Sequence, residues 1–272
     1  MKTRIVFLGS LGVAMTILLN PSWQAIGQDD PINPAGQGVV TYVQGSVKKK
    51  PPQSQQWLRA LEKTEIYSGE KVRTFEESRA EMELRELDII RLAPNTTIDI
   101  VKLYEETKEQ RDEIQIDVEQ GDLWALVDDV AADASFDINS PVTGSAITGT
   151  KLRINVCPDS STLLKVYTGE VKITNVPHRT GILPKTLPKI EPQRGQAPGT
   201  VPGPGSVPGP TNVQGPRSVT LEEWVYIVKN MQQISVNSRG QVTAAGDFSR
   251  DDPDEQSDWV KWNQQRDRLM GR

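Results

Sequence analysis

The sequence predicts an all-β main domain, β-solenoid-like or a twisted β-sandwich, with a disordered Pro/Gly linker and two short C-terminal α-helices after it. Three observations carry this. Apolar and polar residues alternate with period two between Gly38 and about Val176, the signature of strands with one buried and one wet face. Turn residues punctuate the alternating runs. A dense Pro/Gly run then separates this region from a C-terminal segment with helical spacing.

The alternation is explicit in several places. Ile114, Ile116 and Val118 alternate with Glu113, Gln115 and Asp117; Leu152, Ile154 and Val156 alternate with Arg153 and Asn155; Met82 and Leu84 alternate with Glu81 and Glu83. Val171 and Ile173 flank Lys172 in the same way. Gly45, Gly69, Pro94-Asn95, Gly121, Pro141, Gly144, Gly149 and Gly169 mark turns. Gly45, Gly69, Gly121 and Gly169 each precede a strand pattern at separations of 24, 52 and 48 residues, close to multiples of 24, which favours stacked β rungs over an ordinary sandwich. From Glu105 to Glu113 almost every residue is polar, as in a solvated hairpin tip.

The ends of the chain read differently. Lys2 and Arg4 precede an uncharged apolar run from Ile5 to Leu19, then Pro21 and the small residues Ala25 and Gly27. This is the layout of a secretory signal, residues 1–27, with Gln28 first in the exported form. The run is shorter than the roughly 20 residues that span a bilayer, and no transmembrane span is expected after cleavage. Residues 28–37 form an N-terminal arm, 38–178 the β-domain, 179–218 the linker and 219–272 the helical segment. The first helix is expected from Thr220 and Glu223, a capping-box pattern, with Leu221, Trp224, Val225, Val228 and Met231 on one face. Asp252-Pro253 starts the second, whose stripe is Trp259, Trp262 and Leu269. The tryptophans are read as docking residues.

Composition narrows the function. The 272-residue chain has net charge −5, and removing residues 1–27 takes away two bases and no acids, giving −7. No basic patch for nucleic acid is evident, so no nucleic-acid partner is expected. Cys157 is the sole cysteine and is read as a small apolar residue at a strand end. His178, the sole histidine, is read as exposed and idle beside the linker. With one His, a His-based triad would need His178 itself, and no HExxH, CxxC or glycine-rich phosphate loop after a strand is present. Catalytic, cofactor-binding and metal residues are therefore all expected to be none, and no cofactor is expected. The remaining hydrolytic candidates are the carboxylates Glu81 and Glu83, on one face of one strand, and Asp128 and Asp129 after Val127; the glutamates are read as a wet strand face. Asn95-Thr96-Thr97 matches the N-glycosylation pattern at a turn.

Several segments, in order, resemble the FecR domain. They are Ser68-Gly69-Glu70-Lys71-Val72-Arg73-Thr74, Ser78–Leu84, Ile90–Thr96, Gly121-Asp122-Leu123-Trp124, Ser140-Pro141-Val142 with Ile147–Leu152, and Val166–Val171. The resemblance spans roughly Val39 to Val176. Glu86-Leu87-Asp88 departs from it, standing where the family has a tight Asp-Gly turn. The glycines of Gly144–Thr150 are read as permitting a bend before the strand Leu152–Val156. The resemblance implies an extracytoplasmic β-domain without established catalytic residues. Signalling members regulate a sigma factor through a cytoplasmic segment, and the few residues before Ile5 leave no room for one, so that role is not expected here. The expectation is a non-enzymatic exported domain, periplasmic, secreted or in the cell envelope, that binds or scaffolds an envelope protein or polysaccharide. The alternative is an extracytoplasmic signal-transduction component acting with a separate membrane partner. Oligomeric state is left open.

Overall fold

The computed structural model describes residues 37–85, 88–103, 113–128, 135–178 and 223–271. The signal, the polar stretch after Tyr104 and the Pro/Gly linker lie outside the described residues.

The strand run predicted for 38–178 is present. In chain order the strands are β1 Gln37–Gln44, β2 Val47–Lys50, β3 Leu58–Arg59, β4 Glu65–Tyr67, β5 Glu70–Thr74, β6 Arg79–Arg85, β7 Asp88–Leu92, β8 Thr97–Leu103, β9 Glu113–Val127, β10 Ser135–Asn139, β11 Gly144–Val156 and β12 Thr162–Thr174. Three more follow the linker: β13 Val225–Lys229, β14 Gln232–Val236 and β15 Val242–Asp247. One helix, α1 Asp258–Leu269, closes the described chain, after a short 3-10 turn at Pro253–Gln256. All fifteen strands belong to one open, hydrogen-bonded sheet.

The pairings show how this sheet encloses a core. β3, β2, β5, β8 and the first half of β9 pair in succession, and β10, the start of β11, the end of β12 and β13 continue that layer. β4, β1, β6, β7 and the second half of β9 form the other layer, continued by the end of β11, the start of β12, β14 and β15. The long strands β9, β11 and β12 run through both. One cluster joins the facing sides, including Val72, Ile98, Ile116 and Ile138 from the first layer and Val40, Ile90, Ala125 and Leu152 from the second.

Each long strand changes layer at a glycine. In β9 the core-facing residues are Ile114, Ile116 and Val118 before Gly121, and Leu123, Ala125 and Val127 after it, so the inward parity flips. β12 flips in the same way, from Leu164 and Val166 to Val171 and Ile173 across Gly169. Such a flip needs one extra residue in a bulge, in a conformation that β-carbons disfavour. Gly121 has φ +106°, and a β-carbon there would lie 2.5 Å from Thr96 Cα. Gly169 has φ +91° and packs against the Gly149 carbonyl. The spaced glycines thus mark crossings between two layers of a sandwich-like, folded-over sheet, which settles the choice between sandwich and solenoid rungs.

The first C-terminal helix is not formed. Residues 225–236 are β13 and β14, which pair end to end along β12, from Thr174↔Val225 to Thr162↔Val236. Trp224, Tyr226 and Val228 face the core at period two, and beyond a turn at Asn230 and Met231 (φ +58° at Met231) Ile234 and Val236 face it with the same parity. The β-branched content of Val225, Ile227, Val228, Ile234 and Val236 suits a strand. Asn237–Gly240 forms the expected turn, here joining β14 to β15, with Asn237 Oδ1 accepting from Arg239 and Gln241 amides. Because Ile234 is fully buried in the shared core, Ile234→Ala should cost about 2–5 kcal/mol in urea unfolding. An unchanged midpoint would show the segment to be separate from the β-domain.

Candidate functional site

The face of the second layer that points away from the core is not wet. α1 and the 3-10 turn cover it, and a second apolar cluster forms there from Ala93, Trp124, Leu126, Tyr167, Phe248, Trp259 and Val260. Alternation requires this arrangement, since Trp124 and Leu126 are the outward neighbours of Leu123, Ala125 and Val127 on β9. The helix starts at Asp258, later than Asp252-Pro253 suggested, with Ser257 Oγ accepting from the Val260 amide. Its buried face is Trp259, Val260, Asn263 and Asp267; Leu269, expected in the stripe, is 79% exposed. Trp259 and Trp262 are docking residues as expected. They stack on each other, and Trp262 also lies against Tyr42.

Charges pin the helix at two places. Arg91, fully buried, donates to Glu81 at 2.7 Å and to Asp267 at 2.5 Å. Arg266 adds two 2.8 Å hydrogen bonds to Glu81, and Lys151 lies 3.0 Å from Asp267. At the other end Asp122 accepts from Arg153, Asn155 and the Trp259 indole. Arg153 also reaches Asp254 at 2.9 Å, and Lys165 reaches Asp254 and Glu255 at 2.7 and 2.9 Å. Each ion joins a strand to the C-terminal segment, so the charges fix where that segment docks.

The electrostatics follow from burial and pairing. Burial pushes the Glu81 carboxyl up, but Arg266 and Arg91 more than reverse this and hold it below its ordinary 4.5. Asp254 follows the same pattern, with burial outweighed by Lys165 and Arg153, and sits below 3.8. Burial also opposes the Arg153 charge, yet Asp122 holds it above its ordinary value. Burial pushes the Asp122 carboxyl up, and the donors on Arg153, Trp259 and Asn155 offset only part of this. Glu81 and Asp254 bind fewer protons folded than unfolded. Their stabilisation is complete above about pH 4.5 and is lost as pH falls through their lower folded values. Acidification from about pH 5 to about pH 3 should therefore undock α1, seen as loss of the near-ultraviolet circular dichroism of the stacked Trp259–Trp262 pair. A signal flat through that window would contradict this account.

A cleft opens beside the helix end. A 200 Å3 hollow is lined by Trp124, Tyr167 and Lys151 from the sheet and by Arg250, Gln264, Asp267 and Arg268 from the C-terminal segment. It shares Lys151 and Thr168 with a 330 Å3 hollow over Gly149 and Asp128, where β11 changes layer. The Trp124 Nε1 is buried without a hydrogen-bond partner among the described residues. The cleft is thus cationic at its rim, aromatic at its floor, and built from both the sheet and the segment docked on it.

The residues singled out from sequence are scattered. Glu81 is not a wet-face residue: it is 2% exposed beneath the helix, whereas Glu83 on the same strand is exposed. Held ionised by two guanidinium groups, Glu81 is not a proton donor at neutral pH. Asp128 is exposed at the end of β9, and Asp129 lies outside the described residues. Cys157 is exposed, one residue past the end of β11, and so is not a buried apolar residue. His178 is exposed as expected but not idle, with Nδ1 2.8 Å from Gln115 Nε2 and Nε2 3.6 Å from Asp117. Asn95 is exposed in a left-handed turn (φ +56°), and Thr96 behind it is buried, bonded to Asp122 backbone. Among the described residues no group of three or more His, Cys, Asp or Glu is placed to hold a metal ion, and no helix is long and apolar enough to cross a membrane.

The sequence from β5 into β12 matches a known family. The family model described as FecR protein matches residues 70–172. Residues 70–172 are a FecR domain. The match starts at β5 and ends in β12, so β1–β4 and everything after the linker lie outside it, a narrower span than the resemblance suggested. Two crystal structures of a "putative anti-sigma factor" from Parabacteroides distasonis, at 1.65 and 2.50 Å, are among the solved structures to which the chain is similar. Both have a TM-score of 0.41, with 10% and 12% identity, covering 66% of this chain and 60% of theirs. No curated protein matches the sequence. The strand β13–β14 and helix α1 complete the FecR domain from outside its sequence, adding to one layer edge and covering the outer face.

Proposed function

We propose that the chain is a non-enzymatic, extracytoplasmic signal-transduction component whose FecR domain acts with a separate membrane partner. The FecR match over 70–172 carries this reading. The leader of Lys2, Arg4 and the apolar run to Leu19 supports export. The site supports a role in recognition, because its buried carboxylates on the helix-covered face are tied to cations that hold the segment in place. An interface held by charges leaves a partner room to compete, since such contacts give position more than net stability.

The cleft between the sheet and α1 is where we place the partner. A segment that engaged Lys151, Arg250 and Arg268 would touch the FecR domain and the docked helix at once, coupling binding to the state of the helix. Chemical crosslinking in the native envelope, followed by affinity capture of the chain, tests this. Recovery of an integral membrane protein supports it. Sedimentation with wall polysaccharide alone would favour the scaffolding role and overturn the signalling one.

A further inference from the structure

The outer face of the first layer carries a second feature, on β2, β3 and β5, none of which lines the cleft. Lys48 on β2 lies directly opposite Arg59 on β3 and Arg73 on β5, and Lys50 lies opposite Lys71. Like charges directly opposite each other destabilise a sheet. Acids relieve only part of this row: Lys71 pairs with Glu119 and, at 3.3 Å, with Asp99. Lys49, on the other face of β2, is taken by Glu70. Lys48, Lys50, Arg59 and Arg73 have no carboxylate within ion-pair distance among the described residues. Glu76 and Glu77 lie nearby, in the turn beyond Phe75, and pair with none of them.

Aromatic rings stand among these cations. The Arg73 guanidinium is 4.7 Å and the Lys50 ammonium 5.6 Å from the Trp57 ring centre, and Lys48 is 5.3 Å from that of Phe75. At the rim of the same edge two leucines are unusually open, Leu58 at 45%, on the other face of β3 opposite Lys49, and Leu61 at 50% exposure, so an edge-on approach meets them together with the cations. Lysines often guard an edge strand against aggregation, but Lys48, covered by β3, and Arg73, on the third strand in, lie where that purpose does not apply. Four unneutralised cations, an indole and two open leucines at one edge match an anionic interface with an apolar interior. A soluble acidic glycan would satisfy the cations and leave the leucines in water.

We propose that the β2–β3–β5 edge is a peripheral membrane-binding surface, with Lys48, Lys50, Arg59 and Arg73 on anionic phospholipid headgroups and Trp57, Leu58 and Leu61 at the headgroup boundary. This does not depend on the signalling role. It uses neither α1 nor the cleft, and its test needs no protein partner.

The test is flotation of the exported form of the chain with phosphatidylcholine vesicles, with and without phosphatidylglycerol. Binding should appear with the anionic lipid and vanish at high salt, where the screening length is about 3 Å at 1 M. Each cation near an anionic surface contributes about fivefold to partitioning, so Lys48→Gln with Lys50→Gln should weaken it about twenty-five-fold. Leu58→Ser with Leu61→Ser should weaken it severalfold at constant salt. Arg59→Gln, on an exposed side chain, gives a reading if the double lysine variant fails to fold. Absence of binding to anionic vesicles, or binding unchanged in the charge variants, overturns the proposal. So does a leucine variant that binds as the parent does while soluble polygalacturonate competes fully, since the surface would then be a glycan site.

Discussion

Replacing Arg91 with alanine should destabilise the protein by about 3–5 kcal/mol, the cost of leaving buried ions without their partner. Arg91 is fully buried and, among the described residues, is the side chain that bonds to Glu81 on β6 and Asp267 on α1 together. Its loss leaves Glu81 to Arg266 and Asp267 to Lys151, each on one side only. Hydrogen exchange should show the amides of α1 losing protection before the sheet does. Arg91→Lys should not restore stability, because one ammonium cannot reproduce the divergent donors of a guanidinium. The contrasting pair is Arg79 with Asp258, whose carboxylate side chain is 86% exposed. Arg79→Ala should cost less than about 1 kcal/mol in the same urea titration. Equal effects from the two substitutions would show that burial is not what gives the Arg91 network its weight.

The second large effect belongs to a layer crossing. Gly121→Ala should cost about 3–5 kcal/mol, combining a disfavoured backbone with overpacking. At φ +106° the new β-carbon meets Thr96 Cα, which is backbone and cannot swing aside. Thr96 is further fixed by hydrogen bonds in both directions with Asp122, the residue that holds Arg153 and Trp259. The strain should therefore also loosen the helix end that Asp122 anchors. Gly246 on β15 is the control, since nothing lies within 4 Å of a β-carbon placed there. Gly246→Ala should leave the thermal midpoint unchanged within about 0.5 kcal/mol, and a comparable loss at both glycines would refute the crossing argument.

The sequence displayed the sheet well because period two survives wherever one face is buried. Ile114–Val118 and Leu152–Val156 show it directly. The glycines were visible too, but their meaning was not. A regular spacing suggested rungs, whereas Gly121 and Gly169 mark the points where a strand passes between layers. The turn at Asn230 and Met231 misled in another way. Met231 lies three residues from both Val228 and Ile234, so Trp224, Val228, Met231 and Ile234 fall three and four apart as on a helix. Tertiary pairing with β12 decides the strand, and nothing local reveals that partner across the linker.

Glu81 shows what could not be read locally at all. On β6 it alternates with Met82 as a solvated residue should, and only α1, 185 residues further along at Arg266, makes it buried. The excess of charge facing a helix with Trp259 and Trp262 was a usable sign. Asp267 and Arg266 sit one turn beyond those rings, on the side that docks. The basic edge of β2, β3 and β5 was hidden differently. Its residues are spread over Lys48–Arg73, and the acidic net charge conceals them until the strands are laid side by side.

Site-specific photo-crosslinking in living cells tests the central claim, that the FecR domain acts through the cleft beside α1 with a membrane partner. The crosslinker would replace Arg268 or Thr168, both exposed at the cleft, and, as a control, Ser160 in the β11–β12 turn. The account predicts one adduct with an integral membrane protein from both cleft positions and none from Ser160. Adducts absent at the cleft, or equal at all three positions, would contradict it.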